Sequence, residues 1–82
     1  LSRQLFHKHL YHGTDAELKP GDIVTPQDED THAYATNDPF FAGDYGHVYK
    51  VEPVDKKDLT KFKHEDSEAT HYMSRKGFRV IE

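Results

Sequence analysis

The sequence predicts a single α+β domain in which short strands surround one short helix. Five Tyr and five Phe in a chain of 82 residues, with spaced Val, Ile and Leu, favour a folded chain over a disordered one. Strand-like segments, one helix-like segment and further strand-like segments follow one another without a repeat, which is typical of α+β domains. At this length only about 60% of the unfolded chain's surface is buried on folding, so the sequence predicts a thin core.

The strand predictions rest on aromatic and β-branched side chains next to turn residues. Residues 5–12 form an aromatic segment that ends at Gly13, and residues 32–36 form a second strand. Residues 47–53 give the clearest strand, because it contains two valines and ends at a proline. Shorter segments complete the prediction: an apolar step at 23–25 and strands at 69–73 and 77–81, with a turn at 74–77.

The predicted helix covers residues 38–45. Asn37 or Asp38 can cap its N-terminus, and Pro39 suits the first helical position, where its missing N–H is not needed. Gly46 is a natural stop. Residues 55–67 are strongly charged and are predicted to be a loop that can contain one helical turn.

Composition excludes several classes of function. The net charge of −4 disfavours a nucleic-acid or membrane surface, since both are polyanions. No apolar stretch approaches the roughly 20 residues of a membrane span. Without cysteine there is no disulfide and no thiolate zinc site, and the histidines lack zinc-type spacing, so we expect no metal. The chain does not begin with Met, which indicates a processed product or a domain of a longer polypeptide.

Three blocks carry a resemblance to a known family. They are Tyr11-His12-Gly13-Thr14, Tyr34-Ala35-Thr36 and Val48-Tyr49-Lys50-Val51-Glu52-Pro53, and together they cover much of residues 11–53. In this order they resemble the rifamycin ADP-ribosyltransferases, and more widely the His-Tyr-acid branch that includes the poly(ADP-ribose) polymerases. The resemblance implies an ADP-ribosyltransferase-like fold with a small split mixed β-sheet, and NAD as substrate.

The resemblance also implies residue roles. His12 would bond the adenosine ribose, the Gly13 backbone would hold the nicotinamide amide, and Tyr34 would lie under the nicotinamide ring. Further contacts would come from Thr14, Thr36 and Tyr45. Taken alone, a histidine such as His12 is more often a strand-end residue bonded to backbone, and Tyr34 can be a core aromatic. Tyr45 is expected to point into the core, because aromatic side chains on so short a helix tend to face inward.

Transfer of ADP-ribose also needs an acid, because cleavage of the glycosidic bond of NAD⁺ develops positive charge on the ribose. The rifamycin enzymes place an Asp shortly after the Val-Glu-Pro block, which implies Asp58 or, alternatively, Asp55. The wider branch places a Glu at a later strand, which implies Glu65 or Glu68. The catalytic set predicted from the resemblance is therefore His12, Tyr34 and Asp58.

Three functions follow as hypotheses. The first is an enzyme that transfers ADP-ribose from NAD to a small molecule, protein or nucleic acid, or that hydrolyses NAD. The second is a binding module for NAD or for an ADP-ribosylated partner. The third is a structural domain of a larger polypeptide, for example from a phage or toxin. Fold similarity cannot choose among them. The sequence names neither the acceptor nor the oligomeric state, and its preference for a cytoplasmic location is slight.

Overall fold

The structure is a computed structural model that describes residues 9–27, 29–63 and 69–82. These residues form one helix, α1 (Pro39–Gly43), a 3₁₀ turn at Lys56–Asp58 and a sheet. The strands of the sheet are β1 (Leu10–Thr14), β2 (Ile23–Val24), β3 (Ala33–Thr36), β4 (His47–Pro53), β5 (Thr60–Lys63), β6 (Thr70–Ser74) and β7 (Phe78–Val80). None of the helices in this described part is long and apolar enough to cross a membrane.

The strands form one curled sheet in the order β2-β7-β4-β1-β3-β6-β5, which makes a half-barrel. Every strand pairing is antiparallel. The predicted fold class, an α+β ADP-ribosyltransferase-like fold with a split mixed sheet, is therefore wrong for this chain. Parallel neighbours need a crossover of a dozen or more residues, usually a helix, and the five residues of α1 do not supply one.

Most of the predicted elements are present. The strand at 47–53 is confirmed as β4, and the predicted helix is confirmed in the shorter range of α1. Strand β5 was not predicted, because Phe62 is the one apolar side chain in Thr60–Lys63, which lies within a strongly charged segment. The first part of the predicted strand at 5–12 lies outside the described residues.

The core lies on one face of the sheet and is built mostly from small aliphatic side chains. Leu10, Val51 and Val80 are paired across three neighbouring strands, and each is at least 93% buried. The remaining members of this cluster are Val24, Ala33, Ala35 and Phe78. Fully burying one side chain of the Val or Leu type contributes about 1.5–3 kcal/mol, so a core of this size supports only a modest stability.

Helix α1 packs on the opposite face of the sheet, against β1. Its N-terminus is capped by Asp38, whose carboxylate accepts a hydrogen bond from the Phe40 N–H at 2.9 Å, and Pro39 follows the cap. The helix approaches so closely that a Cβ on Gly13 would lie 1.7 Å from the carbonyl oxygen of Ala42. Gly13 therefore allows the helix to rest directly on the backbone of β1.

We expect Gly13→Ala to destabilise the domain, because the added methyl would displace helix backbone rather than a flexible side chain. Overpacking of this kind costs about 1–3 kcal/mol or more. Urea denaturation measures the loss. Gly43→Ala is the matched control, since its Cβ would meet only the Val48 Cγ2 atom at 3.8 Å. Equal midpoints for the two variants would show that the contact between α1 and β1 does not limit stability.

Candidate functional site

The candidate site is a gap between β1 and β3. These strands pair at a single register, Tyr11 opposite Thr36, although both continue beyond it in the direction of His12 and Tyr34. In place of further backbone pairing, the His12 imidazole reaches across the gap, with its Nδ1 atom 2.7 Å from the Tyr34 carbonyl oxygen. The sheet is therefore continuous at Tyr11 and open immediately beyond it.

The backbone of Gly13 faces this gap. On β4, the Lys50 N–H donates to the Glu82 carbonyl and the Lys50 carbonyl accepts from the Ile81 N–H, so the Lys50 peptide groups point away from β1. Lys50 and Tyr11 consequently form a non-hydrogen-bonded pair, and so do Val48 and Gly13 two residues further on. The N–H and C=O of Gly13 are directed away from β4, towards the gap, where they offer one donor and one acceptor side by side.

The environment of His12 defines its protonation state. A carbonyl oxygen only accepts hydrogen bonds, so Nδ1 carries the proton that is shared with Tyr34. Burial lowers the pKa of His12 below its usual value, and the bond to the Tyr34 carbonyl opposes this shift without cancelling it. The imidazole is therefore neutral near pH 7, and Nε2 is an unprotonated acceptor.

His12 and Tyr34 reach the gap from different sides. Side chains alternate along a strand, so Tyr34 and Thr36 share the face of α1, while His12 starts from the face of the core residue Leu10. Because the strands separate after Tyr11, the His12 ring can enter between them. Both side chains line the same cleft, which has a volume of about 350 Å³.

A curved row of aromatic rings forms the wall of this cleft, and we call it the aromatic arc. The ring centroids of Tyr34 and Phe62 are 6.1 Å apart, those of Phe62 and His71 5.7 Å, those of His71 and Phe41 4.5 Å, and those of Phe41 and Tyr45 5.8 Å. Its two ends are accessible, since Tyr34 is 43% and Tyr45 59% exposed. The complete lining is Tyr11, His12, Gly13, Tyr34, Ala35, Thr36, Phe41, Ala42, Tyr45, Phe62 and His71.

The structure brings most of the predicted site residues into this one cleft: His12, Gly13, Tyr34, Thr36 and Tyr45. Thr14 is not among the lining residues, and its hydroxyl accepts a hydrogen bond from the Ala16 N–H. Sequence reasoning missed Phe41, Phe62 and His71. For Phe62 a signal was available, because polar and apolar side chains alternate in residues 61–63, where Phe62 lies between two lysines.

The predicted acid Asp58 lies elsewhere. Its carboxylate accepts hydrogen bonds from the Lys76 N–H at 2.7 Å and the Ser74 hydroxyl at 2.8 Å. Both bonds lower the pKa of Asp58, and the bond from Lys76 has the larger effect. Ser74 is three residues along β6 from the cleft residue His71, which corresponds to roughly 10 Å. The structure therefore does not bring Asp58 to the cleft.

The other candidate acids are also not among the described residues that line the cleft. Asp55 caps the 3₁₀ turn by accepting from the Lys57 N–H and pairs with the Lys76 ammonium at 3.1 Å. Glu65 and Glu68 lie outside the described residues. Among residues 9–27, 29–63 and 69–82, no Asp, Glu, Lys or Arg lines the cleft, and no three potential metal ligands form a cluster. What the described cleft offers a ligand is aromatic surface, backbone amide groups and the imidazoles of His12 and His71.

Comparison with known proteins gives no assignment, since no protein-family model, curated protein or solved structure matches the chain. The site is therefore interpreted from its own geometry.

We expect Asp58→Ala to lower the melting temperature, because it leaves the Ser74 hydroxyl and the Lys76 N–H without their acceptor. The exposed Asp30 provides the control variant, Asp30→Ala. Since the pKa of Asp58 is lowered by folding, its stabilising contribution is present above the ordinary value near 4 and disappears as the pH falls through the folded-state pKa. The melting temperatures of wild type and Asp58→Ala, measured between pH 7 and pH 2, should therefore converge at the acid end. A difference in melting temperature that stays constant over this range would contradict this account.

A second pH effect belongs to His12. Because its folded-state pKa lies below the usual 6.5, the unfolded chain binds the proton more readily, and stability falls as the pH drops below about 6.5. His12→Gln keeps an N–H donor for the Tyr34 carbonyl but does not titrate, so its stability should change less between pH 7 and pH 5. Chemical denaturation at both pH values tests this. His47→Gln, the same substitution at an exposed histidine, is the control. An equal loss of stability between pH 7 and pH 5 in wild type and His12→Gln would refute the assignment of this pH effect to His12.

Proposed function

We propose that the cleft binds NAD⁺ through its nicotinamide riboside half, and that the protein uses NAD⁺ as a donor of ADP-ribose. The observation that carries the proposal is the convergence of His12, Gly13 and Tyr34 on one gap between two strands. These are the residues to which the resemblance assigns the ribose, amide and ring contacts. The proposal concerns this site and does not depend on the sheet having the topology of that family.

The Gly13 backbone suits the nicotinamide carboxamide. A primary carboxamide presents an N–H donor and a carbonyl acceptor in one plane, and Gly13 directs a carbonyl and an N–H into the gap. Two hydrogen bonds of this kind fix both the position and the rotation of the amide. Glycine is compatible with this role because no side chain stands between its backbone and a ligand.

The remaining contacts fit the ring and the ribose. Tyr34 and Tyr45 provide accessible aromatic surface at the two ends of the aromatic arc, and offset stacking on such rings stabilises a flat heteroaromatic ligand. The unprotonated Nε2 of His12 can accept a hydrogen bond from a ribose hydroxyl. The cleft volume of about 350 Å³ is near the lower end of the usual range for small-molecule sites, so it suits half of the dinucleotide better than the whole.

A second candidate function is binding of NAD⁺ without chemistry. It is favoured by the absence of Asp and Glu from the cleft lining in the described part of the chain. Stabilising a ribosyl cation calls for a nearby carboxylate, and Asp55 and Asp58 already have partners at the other end of β6. Of the predicted acids, Glu65 and Glu68 are thus the ones whose substitution tests catalysis most directly.

The binding test is calorimetric titration with NAD⁺. His12→Ala should reduce affinity by the value of one hydrogen bond, about 0.5–1.5 kcal/mol, and Tyr34→Ala should reduce it by a similar or greater amount through lost stacking. The matched controls are His47→Ala and Phe40→Ala, which remove an exposed histidine and an 87% exposed phenylalanine outside the cleft lining. A wild-type protein with no affinity at millimolar NAD⁺ would overturn the proposal.

Release of nicotinamide then separates the enzyme from the binding module. Loss of a well-placed electrostatic stabiliser costs about 10²–10³ in rate, with little effect on ground-state affinity. We expect Glu65→Ala or Glu68→Ala to show this pattern, and Asp58→Ala to act mainly on stability. Wild-type protein that binds NAD⁺ and releases no nicotinamide, even with acceptors added, would establish the second function in place of the first.

A further inference from the structure

Phe62 is a member of the aromatic arc that lies outside the three sequence blocks of the site. It lies on β5, the edge strand of the sheet, between the exposed Lys61 and Lys63. Phe62 is paired with His71 on β6, and Tyr34 on β3 is paired with Met73, two residues further along β6. His71 and Met73 lie on the same face of β6, because side chains alternate along a strand. Phe62 and Tyr34 thus project from the same face of the sheet, on strands that are separated by β6.

The two rings nevertheless meet. Strands two positions apart are roughly 10 Å apart, whereas the Tyr34 and Phe62 centroids are separated by 6.1 Å, so the side chains lean towards each other over β6. Their planes make an angle of 78°, which is the edge-to-face arrangement that aromatic pairs favour. The Tyr34 ring is therefore held by a contact on the side of β5, away from the gap with β1.

This contact matters because Tyr34 is exposed. A side chain with 43% of its surface in solvent has freedom to change rotamer, and a ligand that stacks on it must then pay the entropy of fixing the ring. A neighbour that holds the ring beforehand removes part of that cost. Phe62 is in position to do so, and it is not part of the core cluster, which occupies the other face of the sheet.

We propose that Phe62 is a positioning residue that fixes the Tyr34 ring as the platform of the nicotinamide site. The inference rests on the proposed binding of NAD⁺ for its functional meaning. Phe62 acts through Tyr34, so its effect on the ligand depends on the presence of the tyrosine ring.

The first test compares variants that keep or remove the ring. Phe62→Leu retains an apolar side chain without an aromatic edge, and Phe62→Tyr retains the edge. We expect Phe62→Leu to weaken NAD⁺ binding by roughly 3- to 10-fold and Phe62→Tyr to bind within about 2-fold of wild type. Phe40→Leu is the matched control, because it is the same substitution at an exposed site outside the cleft lining. Equal affinity of Phe62→Leu and wild type would overturn the inference.

A double-mutant cycle separates positioning from direct contact with the ligand. In a Tyr34→Ala background, Phe62→Leu should have no further effect on NAD⁺ affinity, because the ring that Phe62 holds is gone. Additive losses would mean that Phe62 acts on the ligand or on the fold independently of Tyr34, which contradicts the proposal. Melting temperatures of all variants are measured alongside, and Phe62→Met replaces Phe62→Leu if the latter does not fold.

The last readout needs no ligand and so is independent of the proposed function. Scalar couplings and ring-proton shifts from NMR report the χ1 rotamer and the ring environment of Tyr34. We expect one rotamer in wild type, Phe62→Tyr and Phe40→Leu, and averaged couplings in Phe62→Leu. Unchanged couplings in Phe62→Leu would overturn the inference even if NAD⁺ binds. Averaging in Phe62→Leu without any wild-type affinity for NAD⁺ would leave the positioning role standing and remove the proposed function.

Discussion

The site depends on one interruption of the sheet, the point where β1 and β3 stop pairing after Tyr11 and Thr36. In an unbroken ladder the N–H and C=O of Gly13 would bond to the backbone of Tyr34, and they would not be available to a ligand. Here the His12 side chain donates to the Tyr34 carbonyl instead, so this acceptor is paired without closing the gap. On the other side α1 packs on Gly13, and Phe41 of α1 and Tyr45, which follows the helix, line the cleft. The same glycine therefore serves the packing of the helix and the opening of the cleft.

The distribution of aromatic residues gives this arrangement its functional meaning. On one face the buried core cluster is mostly aliphatic, with Phe78 inside it and Tyr49 and Tyr72 packed against it, whereas the aromatic arc occupies the other face. A small chain that is 34% hydrophobic has few large apolar side chains, and burying them in the core would contribute most to stability. Leaving the rings of Tyr34 and Tyr45 exposed forgoes part of that stabilisation. Apolar surface that is kept accessible around a concave site is typical of ligand binding.

Local features of the sequence were predictable, and features set by pairing were not. The Val-rich segment that ends at Pro53 identified β4, and Asp38 followed by Pro39 identified the start of α1, because each signal acts within a few residues. The antiparallel order of the sheet and the inclusion of Phe62 in the cleft depend on registers between distant segments, which no local pattern encodes. The position of Asp58 was not predictable for the same reason: its offset from the Val-Glu-Pro block gave no information about Ser74, the partner that β6 brings to it.

The separation of the carboxylates from the cleft bears on what the site can do. Asp55 and Asp58 hold the turn between β6 and β7 through Lys76 and Ser74, so their charges are already compensated at a distance from the aromatic arc. Among the described residues that line the cleft there is no Asp, Glu, Lys or Arg. The proposed affinity then comes from stacking and from hydrogen bonds with the Gly13 backbone and the His12 side chain, which salt screens less than it screens ion pairs. The proposed binding of NAD⁺ needs only groups of this kind, whereas the proposed chemistry on a ribosyl cation requires a further group of opposite charge. The two proposed functions therefore differ by the presence of one carboxylate near the cleft.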